Sequence, residues 1–309
     1  MGCRFDEGFM NQLVAIERFF LIGHIAAMVF GLFGLLIIVP NPDLIMSLPP
    51  YGQTLFQAGM TSGGVVYILL GAVAVSIYAY RTLGLQPWLT FMLPAVFISL
   101  SSELLGTSTG FPFGHYSYLN GLGYKIAGLV PYTIPLSWFY LGFVAYLLAL
   151  AGLAQLQLPK WLPRSVVAIA LGALLLTSWD FVLDPAMSQA LVPFWYWHQP
   201  GAFFGMPYQN FAGWMGTGAV FMSVAAFFWR KAQTPWQVTQ AQLALPLTIY
   251  LSNFAFAAIT SIAAGIVIPV FLGLVLGVAP AIALWWFAKP TNVDSESSEF
   301  LPANPMPIK

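Results

Sequence analysis

The sequence predicts an all-α integral membrane protein: a polytopic helical bundle of eight transmembrane helices with a cytoplasmic N-terminus. Three observations carry that expectation. Of 309 residues, 59% are hydrophobic and 6% charged, with a mean hydropathy of +0.81, which is too apolar for a soluble domain. Eight stretches meet the roughly 20 apolar residues that a bilayer core requires. The ten basic residues, finally, fall unevenly among the connections between those stretches.

The apolar windows run over 19–39, 62–80, 88–106, 131–154, 161–181, 211–229, 241–260 and 265–287. The first lacks the basic start, short apolar core and small-residue cleavage site of a signal peptide, so it reads as a retained span. A tight Ser/Gly-containing turn at Thr260–Gly265 divides the last two windows, and Pro269 and Pro280 interrupt the final one. Seven spans is therefore the alternative count. Charge placement favours eight. With the N-terminus inside, Arg4, Arg18, Arg81, Lys160, Arg164, Arg230, Lys231, Lys289 and Lys309 all face the cytoplasm and Lys125 alone does not. Seven spans would put Lys289 and Lys309 on the wrong side.

Residues 1–290 read as a single transmembrane helical domain and 291–309 as a flexible polar tail, rich in Ser and Pro. The lone cysteine, Cys3, excludes an internal disulfide and a thiolate cluster. Its neighbour Gly2 raises lipidation, although a chance terminal cysteine is the simpler reading. No nucleotide-binding glycine pattern, heptad repeat or internal repeat is present, and nothing indicates nucleic acid.

The cytoplasmic connections are short, whereas Gly106–Val130 and Val182–Asn210 are long and crowded with aromatics, Gly and Pro. Acids are rare, yet Glu103 lies near the end of the third span and Asp180 and Asp184 end the fifth, one helical turn apart. All three emerge at the non-cytoplasmic side. The loops add His115, Tyr116, Tyr118 and Asn120, then Trp195, Trp197, His198, Tyr208 and Asn210, with Trp179 and Trp214 flanking. Two histidines and three carboxylates are thus expected to meet in one apolar-walled mouth. Low dielectric favours the neutral form of a carboxylic acid, and a neutral acid is what protonation of carbon requires.

Structural readings compete with this one. Asp184–Pro185 can simply cap or end a helix. Glu103 and Asp180 can make interhelical hydrogen bonds, His115 and His198 can be interfacial donors, and the Trp and Tyr residues can belong to the aromatic belt. His24, in the first span, reads as a satisfied bundle histidine. Three histidines without HxxxH or ExxH spacing speak against a di-iron enzyme, while a single-metal site built from the same acids and histidines stays open. A proton-coupled transporter or a lipid-binding protein also stays open, although the acids cluster at one face instead of the midplane and no repeated pair of broken helices is visible.

Glu103–Gly110, FPFGHYSY (111–118), VPYTIPLSWFYLGFVAY (130–146), SWDFVLDP (178–185) and FWYWHQPGAFFGMPYQNFAGW (194–214) together resemble the membrane carotenoid 1',2'-hydratases of bacteria and archaea, both the bisanhydrobacterioruberin type and the γ-carotene type. The resemblance spans roughly residues 95–290. It implies addition of water across the C1'=C2' double bond of an acyclic carotenoid end, giving a tertiary alcohol without dioxygen or a redox cofactor. It also implies a polyene substrate held in a bacterial plasma or thylakoid membrane, and a downstream glycosyltransferase. The motifs nominate Glu103, Asp180, Asp184, His115, Tyr116 and Asn210 without assigning roles.

On that basis the residues imply a mechanism. Asp180 or Glu103 protonates C2', the aromatic mouth steadies a tertiary cation at C1', and Asp184 or His115 deprotonates the attacking water. A C40 polyene is about as long as the hydrocarbon layer is thick, roughly 30 Å, so its other end is expected near the opposite face. Gly142, Gly152 and Gly172 are expected either to close helix contacts or to open a groove for it.

Overall fold

A computed structural model describes residues 7–231 and 237–290. Cys3, Arg4, Lys309 and the expected tail 291–309 lie outside that range. Among the described residues eight helices are long and apolar enough to cross a membrane, so the chain is an all-α integral membrane protein. In order they are α1 (Glu7–Phe33, continued by a π-helical turn at Gly34–Ile38), α3 (Pro50–Leu83), α4 (Leu85–Thr109), α5 (Thr133–Ala154), α6 (Arg164–Gln189), α7 (Tyr208–Trp229), α8 (Ala244–Ala263) and α9 (Val267–Phe287). A short helix α2 (Pro42–Ser47) joins α1 to α3.

The breaks follow from sequence. Gly84, at φ +89°, is the single residue between α3 and α4, and Gly265, at φ +75°, turns α8 into α9. The π-helical turns at Gly34–Ile38 and Leu274–Val278 precede Pro40 and Pro280. Proline lacks an N–H and its ring crowds the carbonyl four residues back, which is Leu36 in one case and Leu276 in the other. The last helix absorbs the conflict by widening one turn and runs on to Phe287, whereas the first ends with its widened turn at Ile38.

α5 is the axis of the bundle. From Thr133 to Leu153 every residue except Leu136 is buried, which suits a helix that is apolar all round. Gly142, Gly152 and Gly172 close contacts; they do not line a groove. A Cβ at Gly152 would lie 2.5 Å from the Leu284 carbonyl oxygen, one at Gly142 2.7 Å from the Phe221 ring, and one at Gly172 3.1 Å from the Tyr146 Cα. Because the obstacle at Gly152 is backbone, Gly152→Val is expected to cost about 1–3 kcal/mol, read as a lowered thermal midpoint of the purified protein. A bidentate ion pair joins α1 to α3 near one end, with Arg81 Nε donating to Glu17 Oε2 at 2.9 Å and Arg81 Nη2 to Oε1 at 3.1 Å.

The two long loops meet at the other end. β1 (Tyr116–Tyr118) from the first pairs antiparallel with β4 (Trp195–Trp197) from the second, in the register Tyr116 to Trp197, Ser117 to Tyr196 and Tyr118 to Trp195. Hydrogen bonds from Leu119 N to Phe194 O at 2.8 Å and from His198 N to His115 O at 2.8 Å extend the ribbon at both ends. A smaller ribbon pairs β2 (Lys125–Ile126) with β3 (Val130–Pro131). The β1–β4 pairing fixes the C-terminal ends of α4 and α6 at the same end of the bundle, which is where the acids are.

Candidate active site

α6 does not stop at Asp184–Pro185. It runs on to Gln189 with Pro185 inside it, so Asp184 is a helical residue on the same face as Asp180 and not a helix terminus. The bond count explains this: Pro185 lacks one N–H, and the turn beyond it still forms, with Ser188 Oγ donating to the Asp184 carbonyl at 2.8 Å. Asp180 and Asp184 are both buried, and so is Glu103 on α4. All three line one cavity of about 60 Å³.

The ribbon roofs that cavity because strand side chains alternate. Tyr116 and Tyr118 point inward from β1, Trp195 and Trp197 from β4, while Ser117 and Tyr196 face away from the cavity. Phe113 anchors the loop between two glycines: a Cβ at Gly106 would meet its ring at 2.7 Å and one at Gly213 at 2.4 Å. Trp138 of α5 and Trp214 of α7 stack on the opposite wall, with centroids 3.9 Å apart and planes at 20°. Trp179 meets Trp214 edge-on at 5.8 Å.

Hydrogen bonds divide the acids into two kinds. Glu103 is surrounded by donors. Trp138 Nε1 donates to Oε1 at 2.9 Å, Tyr118 Oη to Oε2 at 2.9 Å, and Tyr116 Oη also donates to Oε2. An indole N–H can only donate, so Oε1 is an acceptor, and two phenols occupy Oε2. This is the surrounding of a carboxylate anion. Burial, with the Glu103 charge next in weight, pushes both phenols well above the usual tyrosine range, so they stay protonated as donors.

The aspartates form the second kind. Asn210 Nδ2 donates to Asp180 Oδ2 at 2.7 Å and lies 3.3 Å from Asp184 Oδ2, linking the two side chains, while Trp197 Nε1 donates to Asp184 Oδ1 at 2.9 Å. Among the described residues no hydrogen bond reaches Asp180 Oδ1. Asp180 is therefore the acid whose second oxygen is uncommitted beside the cavity.

Four sequence-nominated residues lie elsewhere, so the expected meeting of two histidines with three carboxylates does not occur. His115 is exposed, its ring folded over Gly110. His198 is exposed on the ribbon, its Nε2 2.8 Å from Ser117 Oγ. Both follow from strand alternation: a residue adjacent to an inward Tyr116 or Trp197 must face away. Asn120 lines a neighbouring cavity, and Tyr208 is exposed at the start of α7. Tyr116, Tyr118, Trp179, Trp195, Trp197, Asn210 and Trp214 do line the acid cavity, with Tyr67, Phe113 and Trp138, which the sequence reading did not single out. Trp138 carries no local signal that sets it apart, because α5 also holds Tyr140 and Tyr146.

His24 is buried with both ring nitrogens engaged. Nδ1 lies 2.7 Å from the Tyr67 carbonyl, to which it must donate, so Nε2 accepts from Asn253 Nδ2 at 3.0 Å. Among the described residues no three His, Cys, Asp or Glu side chains group as a metal site.

Removing both phenol donors from Glu103 in a Tyr116→Phe/Tyr118→Phe double variant is expected to cost about 1.5–3 kcal/mol per hydrogen bond to the charged group. A thermal midpoint equal to that of the unaltered protein would contradict the description of Glu103 as a donor-saturated anion.

An apolar helical bundle with a buried, aromatic-walled cluster of three carboxyl groups at one end defines a class: an integral membrane protein with an acid-lined cavity. The chain matches the family described as carotenoid biosynthesis protein over residues 63–280, and it belongs to that family. It is also 34% identical over 134 residues to the bisanhydrobacterioruberin hydratase of Haloarcula japonica, an alignment that spans 43% of each chain. No solved structure matches it.

Proposed function

We propose that the protein is a carotenoid 1',2'-hydratase that acts on the acyclic end of a polyene such as lycopene or γ-carotene. The observation that carries this reading is the pairing, in one small aromatic cavity, of a donor-saturated carboxylate with two linked aspartates, one of which has an uncommitted oxygen. The family and the partial likeness to a hydratase support the same chemistry.

Two buried carboxyl groups that share an amide hold one proton between them more easily than two charges. Asp180 carries that proton and delivers it to C2' of the terminal double bond. The π electrons form the new C–H bond, and the positive charge appears at C1', the carbon that gives a tertiary cation. The faces of Trp138, Trp214 and Trp179 and the negative charge of Glu103 stabilise it. A water oxygen bonds to C1', its proton passes to Asp184, and transfer of that proton back to Asp180 restores the resting pair. Substrate plus water becomes tertiary alcohol, with no oxidant and no reductant. Trp197 and Asn210 hold Asp184 for this role, and His115 and His198 take no part in it.

With the N-terminus cytoplasmic, as the basic residues favour, the acid end opens toward the non-cytoplasmic face, where water reaches the end of a membrane-dissolved polyene. A bacterial plasma or thylakoid membrane is the setting, and a glycosyltransferase that uses the new hydroxyl is the downstream partner this chemistry implies. Expression in a host that accumulates lycopene tests the reading. A product heavier by one water is the expected result. A cyclic product of unchanged mass would make the protein a cyclase that loses a proton from the same cation, and an unchanged carotenoid would make it a carrier.

A further inference from the structure

The acid cavity, at about 60 Å³, is far too small for a whole polyene. A second cavity of about 230 Å³ adjoins it, and Tyr67 stands in the wall of both. It lies between the second half of α1 and the first half of α3, and loop residues Asn120 and Phe194 close its side. Asn120 lies two residues after β1 and Phe194 immediately before β4, so the loops that roof the acids also border this groove.

Among the described residues no charged side chain lines the groove, and Asn120 is the one side-chain amide there. At Gly34 and Gly63 the space that a Cβ would enter is empty to 4 Å, unlike the packed glycines at 142, 152 and 172. From Gly52 to Tyr67 the groove follows α3 for 15 residues, about 22 Å of helix at about 1.5 Å per residue. An uncharged slot of that length, leading into a small acid-lined site, suits a long apolar chain better than a polar or compact ligand.

We infer that this groove holds the polyene chain of the substrate, and that its terminal unit passes Tyr67 to reach Asp180. The inference rests on the hydratase reading for the identity of the chain. It replaces the sequence expectation of a polyene running across the bundle to the opposite face, since the space beside Gly142, Gly152 and Gly172 is filled by Phe221, Leu284 and Tyr146.

The test uses the full chain with lycopene as the probe. Gly34→Phe and Gly63→Phe place a ring in the groove. Gly216→Phe, on an exposed face of α7 with open space and in neither cavity, is the control. Retention is read as lycopene co-purifying with each variant in the Asp180→Asn background, and conversion as hydrated product in cells with Asp180 intact. Both groove variants are expected to lose at least about tenfold in retention and conversion, the effect of about 1.4 kcal/mol of obstruction, and the control to match the parent. If a phenylalanine at 34 or 63 prevents folding, judged by size-exclusion profile, Gly34→Leu and Gly63→Leu replace it. Groove variants that retain and convert lycopene like the parent would overturn the inference. Loss of retention in the groove variants alone, with no conversion by the parent, would uphold the groove and sink the hydratase.

Discussion

Asp180→Asn is expected to lower hydration of an acyclic carotene by about 10²–10⁴-fold, the usual worth of a positioned general acid, while leaving the thermal midpoint unchanged. The exchange is nearly isosteric. Its amide oxygen can still accept the hydrogen bond from Asn210 that Asp180 Oδ2 accepts at 2.7 Å, so the cavity keeps its shape and loses its proton. Asp184→Asn is expected to differ. Asp184 receives Trp197 Nε1 at 2.9 Å on one oxygen and approaches Asn210 Nδ2 at 3.3 Å with the other. An amide there sets its own N–H₂ against one of those donors, so activity and stability fall together. Product measured by chromatography, normalised to purified protein and set beside a melting curve, separates the two cases. Full activity in Asp180→Asn would remove the acid assignment.

Glu103→Gln carries the second large effect, and for the opposite reason. Trp138 Nε1 cannot accept, so the glutamine carbonyl must face it, which turns the amide N–H₂ toward Tyr116 and Tyr118. Both phenols must then rotate away from the role of donor. The loss of a charge-assisted bond costs about 1.5–3 kcal/mol, and the negative charge beside the developing cation disappears with it. A lowered thermal midpoint together with at least about a tenfold loss of product, equivalent to about 1.4 kcal/mol in the barrier, is the expected pairing. A variant equal to the parent on both measurements would show that Glu103 is neither the anchor of the ribbon nor a stabiliser of charge.

Much of this architecture is legible in the chain. Apolar runs long enough to cross a membrane mark the eight helices, and the alternation of loop sides places Glu103, Asp180 and Asp184 at one end. The helices begin and end away from the hydropathy windows because polar and glycine-rich turns such as Pro50–Thr61 stay helical once packed against α1. The fates of Asp184 and the histidines were hidden for a different reason. Proline usually argues for a helix end, and only the tertiary setting that engages Asp184 from β4 and α7 lets α6 continue past Pro185. His115 and Tyr116 are neighbours in sequence, but the pairing of β1 with β4, a contact between residues about 80 apart, decides that the tyrosine faces in and the histidine out. No local pattern in FPFGHYSY states that register. Trp138 was similarly masked, since α5 also carries Tyr140 and Tyr146 and one more polar-tipped ring carries no mark of the carboxylate it will meet.

The central claim is that the protein adds water to a carbon–carbon double bond by acid catalysis. Cells or membranes that contain the protein and lycopene, kept strictly anaerobic in water enriched with oxygen-18, test it most directly by mass spectrometry of the product. The account predicts a tertiary alcohol that forms without dioxygen and carries the heavy oxygen from water. A hydroxyl that forms only when dioxygen is admitted, and carries oxygen from that gas, would contradict it.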